Sequence, residues 1–184
     1  MTQGRIALLS WCYEAQAKAV FAHFMVAHID AFALNIAAGY SSNAAQVANA
    51  FKAVVSVGVN FQFFFSFDYA GNGSWAITDV ESYLTGYINK AAYYRYNNQP
   101  FVSTFKGTSK AEDWVTIKAN TGCFFVPDWS SAGAGPALTL AGGVADGLFS
   151  WAAWPWANAP ITQFVDASYT TDLGSKPYMM PVSP

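Results

Sequence analysis

Two aspartates stand where a parallel β/α architecture would carry reacting groups. Asp68 closes the run Phe64-Phe65-Ser66-Phe67-Asp68, and Asp128 sits in Phe125-Val126-Pro127-Asp128-Trp129. If both runs are strands, each carboxylate falls at a C-terminal strand end, the side of a parallel barrel that holds the chemistry. Two carboxylates at one mouth serve as general acid and base when their surroundings push their pKa values apart. The plainer alternative is that each accepts loop N–H bonds or caps the following helix. Both readings stand at this point.

Trp129, Trp151, Trp154 and Trp156 cluster near strand ends or in the loops that follow. An indole has a flat apolar face and one polar edge, which suits the C–H faces and hydroxyls of a sugar ring. Packing in the core or at a barrel mouth is the other use of such rings. His23 falls inside the first apolar run and Asn35 near the end of the second. Each could bond a substrate hydroxyl or satisfy neighbouring backbone groups. The cysteines are Cys12 and Cys123 and the histidines His23 and His28, with no spacing that resembles a zinc site. There is no Gly-rich phosphate loop after a strand, no nucleophile elbow and no Ser/His/Asp set at recognisable spacing. Neither a metal nor a cofactor is expected.

The elements that would position these residues follow from the apolar pattern. Residues 19–26, 29–36, 61–67, 101–105, 123–126, 147–151 and 178–182 read as strands, and 44–57, 78–90 and 110–119 as helices. Continuous apolar strands separated by helices indicate a parallel sheet covered on both faces. The predicted fold is α/β, an incomplete (β/α)8 TIM-like barrel. One connection is too short for it. Only Ala27 and His28 separate the first two runs, whereas a parallel crossover takes at least about 10–12 residues. The two runs therefore form a hairpin, form one long strand, or have lost a helix between them.

Composition narrows the class. Of 184 residues, 53% are hydrophobic and 17% aromatic, enough for one substantial core. Charged residues are 11%, against about 25% in an average soluble domain. Nine basic and eleven acidic residues leave a net charge of -2, a poor footprint for nucleic acid. No long apolar run escapes polar interruption, so neither a nucleic-acid nor a membrane partner is expected. Residues 1–18 read as a signal peptide or leader: Arg5 precedes the apolar stretch 6–13, and Ala15-Gln16-Ala17 has a cleavage-site form. An amphipathic first helix is the alternative. Asn72-Gly73-Ser74 is a glycosylation sequon and agrees with secretion. Residues 19–184 would then be the partial catalytic domain. Residue types and spacing alone reach a sugar-binding or sugar-cleaving α/β barrel.

Longer motifs carry a resemblance. Val20-Phe21-Ala22-His23-Phe24-Met25-Val26, Ile29-Asp30-Ala31-Phe32-Ala33-Leu34-Asn35-Ile36 and Phe64-Phe65-Ser66-Phe67-Asp68 are similar to the fungal α-1,3-glucanases (mutanases) of glycoside hydrolase family 71. So are Pro100-Phe101-Val102-Ser103-Thr104-Phe105, Phe125-Val126-Pro127-Asp128-Trp129-Ser130-Ser131 and Asp146-Gly147-Leu148-Phe149-Ser150-Trp151. Lys176-Pro177-Tyr178-Met179-Met180-Pro181-Val182-Ser183-Pro184 completes the series in family order. The resemblance implies a (β/α)8 catalytic domain, secretion from a fungus and hydrolysis of α-1,3-glucan with inversion. Residue type and strand-end position, apart from the resemblance, keep Asp68 and Asp128 as catalytic candidates, and His23, Asn35, Trp129, Trp151 and Trp154 as substrate-binding candidates; the polysaccharide partner is what the resemblance implies.

Departures from the family pattern are equally specific. The helical segment between the first two motifs is absent. Lys106-Gly107 stands where the family carries Glu-Gly, and Ala152 where it carries Asp. The family continues past Pro-Val-Ser-Pro to a Trp-Asn-Asp-Tyr-Gly-Glu-type motif that holds its acid/base pair, and this sequence stops before it. Loss of a general acid or base costs ~10²–10⁴-fold in rate. The expectation is an impaired hydrolase, with a glucan-binding pseudoenzyme or a degenerate fragment that does not fold alone as alternatives.

Overall fold

A computed structural model describes residues 6–9, 29, 31–58, 60–152 and 162–181, the first four as backbone only. The expected strand 19–26 lies outside them. Strands β1 (Ile6–Leu9), β2 (Ala31–Ala37), β3 (Gln62–Asp68), β5 (Gln99–Phe105) and β6 (Phe124–Phe125) form a parallel ladder in that spatial order. Single bridges from Asp128 to Phe105 and to Phe149 carry it on to β7 (Leu148–Phe149), which pairs in parallel with β8 (Tyr178–Met179). This is the curved start of a β/α barrel, as the apolar runs predict.

β1 differs from expectation. Ile6–Leu9 lies in the segment that reads as a leader, yet it pairs residue for residue with Ala31–Leu34. A second difference is β4 (Arg95–Tyr96), antiparallel to β5 through a tight turn. Asn97 and Asn98 at that turn have φ of 47° and 66°, the mirror-image turn that matches strand twist and that Asn tolerates. Sequence reading stopped at the apolar run and left this hairpin out.

The helices are α1 (Asn43–Val57), α2 (Ile77–Tyr87), α3 (Asp113–Thr121), α4 (Ala134–Thr139) and α5 (Phe164–Leu173). α1 forms because Val47, Ala50, Phe51 and Val54 recur at helical spacing and are buried against the sheet. Gly58 ends it at φ 67°, its N–H donating to Val54 and Val55 carbonyls. At the other end Asn43 Nδ2 donates to the Ala37 carbonyl at 2.7 Å, pinning the helix start to the end of β2.

Strand alternation separates two layers. Phe63, Phe65 and Phe67 of β3 face the helices, where they meet Phe51, Tyr83, Tyr87 and Trp114. Trp114 is fully buried and stacks on Phe125, with ring centres 3.8 Å apart and planes 8° from parallel. Such pairs add about 0.5–1.5 kcal/mol beyond area burial. Cys123, next to this stack, is a free thiol with no exposure, and burial pushes its pKa up to about 11. The alternate residues of β3, Gln62, Phe64, Ser66 and Asp68, face the opposite side.

Candidate active site

The inner side of the sheet is built in rows. In the lowest, Phe64 packs edge-on against Phe101 at 4.8 Å, and Phe101 stacks with Phe124 at 6.2 Å. The middle row is polar. Asn35, Ser66 and Ser103 are register partners. Ser66 Oγ donates to Asn35 Oδ1 at 3.1 Å, and Ser103 Oγ to the Val126 carbonyl at 2.6 Å. The top row reads Ala37, Asp68, Phe105, Asp128 and Phe149 across neighbouring strands. Asp68 and Asp128 thus flank β5 at one level, two strand spacings apart, about 9–10 Å between backbones.

The two carboxylates are held differently. Asp68 is half-buried, and its Oδ1 accepts the N–H groups of Ala70 at 2.7 Å and Gly71 at 3.0 Å. Asp128 is 2% exposed. Its Oδ1 accepts the Ser130 N–H at 3.1 Å and also the Ser130 hydroxyl. Desolvation raises the Asp128 pKa. The Ser130 bonds and the Lys106 charge oppose that rise in part. The loop-capping role expected as the alternative for each Asp is therefore present, and at Asp128 it goes with a carboxyl whose pKa burial raises.

Lys106 follows β5 in a left-handed conformation, φ 57°, and Gly107 continues at φ 91°. A Cβ on Gly107 would lie 2.8 Å from the Tyr69 ring, so this turn needs glycine. Lys106 Nζ stands 5.7 Å from the Phe105 ring centre. Trp151 is half-buried and meets Phe105 and Phe149 edge-on at 5.3 Å and 5.6 Å, forming an aromatic corner at the end of the top row.

The remaining expected site residues fall elsewhere. Trp129 is fully buried, its ring edge-on to Phe125 at 5.5 Å on the helix side, so it offers no open face to a sugar. The alternation that turns Asp128 inward turns Trp129 outward. His23 and Trp154 lie outside the described residues. Asn35, Asp68, Asp128 and Trp151 come together on one side of the sheet. Sequence reading missed Ser66 and Ser130, whose partners are set by register and loop geometry. Among the described residues no group of three or more His, Cys, Asp or Glu could hold a metal ion. No described helix is long and apolar enough to cross a membrane.

Parallel strands with helical crossovers, and carboxylates at their C-terminal ends, define the class: this is part of a β/α barrel. A bacterial GH99 endo-α-mannosidase from Bacteroides thetaiotaomicron superposes with a TM-score of 0.70 at 16% identity, over 94% of this chain and 54% of that one. A mandelate racemase/muconate lactonizing protein from Herpetosiphon aurantiacus gives 0.64 at 11% identity, over 98% and 48%. At those identities the likeness concerns fold alone.

The model of glycosyl hydrolase family 71 matches residues 26–184, and the chain belongs to that family. It is 35% identical over 205 residues to a mutanase of Penicillium rubens, covering 93% of this chain and 43% of the relative. It is 32% identical over 171 residues to a glucan endo-1,3-alpha-glucosidase of Schizosaccharomyces pombe, covering 85% and 39%. The chain thus spans about two-fifths of the length of either relative.

Proposed function

We propose that this chain carries the mouth of an α-1,3-glucan hydrolase, with Asp128 and Asp68 as catalytic candidates that meet the spacing of an inverting pair. The observation that carries this reading is the shared row of the two carboxylates on either side of β5. Inverting glycosidases hold their pair about 6.5–9.5 Å apart, leaving room for a water opposite the leaving group. Side chains leaning toward each other from backbones about 9–10 Å apart reach that range. Burial raises the Asp128 pKa, the direction that suits a group protonating the departing glycosidic oxygen. Asp68, less buried, would take a proton from water. Asn35 and Trp151 would bind sugar hydroxyls and the ring face. The relatives' names supply the linkage and the polysaccharide.

Reducing-end release from insoluble α-1,3-glucan, with β-1,3-glucan as control, tests it. Release from the α-linked polymer alone supports hydrolysis. A second reading, glucan binding without cleavage, is favoured by the commitment of both carboxylates to loop N–H groups. Retention on the polymer with no release would select it. An extracellular, fungal setting belongs to the same proposal, since the polymer is a wall component. N-terminal sequencing of secreted protein separates the two accounts of the N-terminus: a mature chain starting after Ala17 would lack β1.

A further inference from the structure

We propose that Asn72 is an N-glycan acceptor that carries its oligosaccharide at the rim of the barrel mouth while its side chain goes on tying two loops together. The assignment rests on the extracellular setting proposed above, and the experiment supplies that setting independently.

Asn72-Gly73-Ser74 is the single Asn-x-Ser/Thr sequence of the chain, and its middle residue is not proline. All three residues are exposed, in the loop between β3 and α2. That loop is fixed on both sides of the sequon. Just before it, Asp68 Oδ1 holds the N–H groups of Ala70 and Gly71. Just after it, Trp75 is buried, its ring edge-on to Phe67 at 5.1 Å. Between these anchors Gly73 has φ 90°, and a Cβ there would meet nothing within 4 Å, so space is open beside the acceptor.

The acceptor nitrogen itself is placed by the fold. Asn72 Nδ2 donates to the Ala38 carbonyl at 3.0 Å, reaching from the loop after β3 to the loop after β2. A Cβ on Gly39 would stand 2.9 Å from that nitrogen, so the loop after β2 makes room for it with glycine. A carboxamide nitrogen carries two protons. One serves the Ala38 carbonyl. The other is exchanged when oligosaccharide is transferred from a lipid-linked oligosaccharyl diphosphate. The bond from Nδ2 to the anomeric carbon forms, the bond from that carbon to the diphosphate oxygen breaks, and the nitrogen's proton passes to the released diphosphate. The product is a secondary amide that keeps one N–H, so glycan and loop tie coexist. Ala37 and Asp68 are register partners where β2 and β3 end. The glycan therefore rises at that end of the top row, and the Phe149–Trp151 corner stands at the other.

The full chain is expressed behind a host secretion leader in yeast, and its mass is read before and after peptide N-glycosidase. One glycan is expected, removable by the enzyme and assigned to Asn72 by peptide mapping. Ser74→Ala breaks the sequon and keeps the carboxamide, so it should lose the glycan and hold the native Tm. Asn72→Ala should lose the glycan and also lower Tm by roughly 2–4 °C, because the bond to Ala38 goes with it. A native chain with no glycan in either the retained or the secreted fraction overturns the acceptor, and that measurement needs no variant to fold. Equal Tm for Asn72→Ala and Ser74→Ala overturns the persisting tie, as does a glycosylated chain that melts well below Ser74→Ala. Failure of the extracellular reading looks different: the chain with its own N-terminus would stay inside the cell while the chain behind the host leader still gained the glycan.

Discussion

Asp68 and Asp128 occupy equivalent places on either side of β5 and differ in what surrounds the carboxylate. Asp68 turns its oxygen onto two consecutive loop N–H groups and stays half-buried. Asp128 is sealed beneath the loops after β6 and β7 and receives its stabilisation from one serine. The same residue type at the same level of one sheet therefore meets unlike surroundings, and burial raises the pKa of Asp128. Strand position alone delivers two carboxylates. The loops make them unlike.

The largest expected effect comes from breaking that asymmetry in the reaction. Asp68→Asn and Asp128→Asn should each lower release from the polymer ~10²–10⁴-fold. A glucosyl fluoride, whose leaving group departs without a proton, should restore much of the rate to Asp128→Asn and little to Asp68→Asn. Equal rescue of both would erase the division of roles.

Stability separates the two sides next. A Cβ on Gly71 would stand 2.7 Å from the Ala37 Cβ and 3.1 Å from Asp68 Oδ2. Gly71→Ala should therefore cost about 1–3 kcal/mol, and each kcal/mol lowers Tm by about 2–4 °C at this size. A thermal melt reads it, and the Asp128 carboxyl resonance should not move.

A pH series gives a smaller contrast. The Asp128 pKa is raised in the fold by desolvation. A raised folded pKa means that its contribution is fully present below the unfolded carboxylate value and is lost as pH rises through the folded value. Tm of the native chain should thus fall relative to Asp128→Asn on going from about pH 4 toward neutrality. Parallel curves for the two proteins would deny the desolvation. Smallest of all, Lys106→Met should move the Asp128 midpoint further up, because the amine charge now opposes burial. A carboxyl titration by NMR would show it.

Much of the frame was legible in the sequence because burial on both faces forces unbroken apolar strands. Phe63, Phe65 and Phe67 need a helix layer and find one in α1 to α3. The expected strands at 147–151 and 178–182 contract to Leu148–Phe149 and Tyr178–Met179, since apolar character extends past the residues that pair. β1 was hidden because a short apolar stretch after an arginine serves a leader and a strand alike. Of the site, the strand-end aspartates and Asn35 were readable from position. Trp129 reads as a sugar platform until the alternation from Asp128 is followed one residue further. Ser66 and Ser130 carry no mark at all, because a serine's partner is decided by cross-strand register and loop path.

Cys123 offers a timing device that nobody had to engineer. Its thiol has no exposure, and its pKa near 11 leaves almost no thiolate at neutral pH. It can react only in molecules whose β6 layer has opened, and it does so at the rate of an ordinary thiol once there. With Cys12 replaced by Ser, the labelling rate at Cys123 would count openings of the Trp114–Phe125 stack in the intact chain. Comparing that rate with and without glucan would show whether a ligand at the mouth slows breathing on the far side of the sheet.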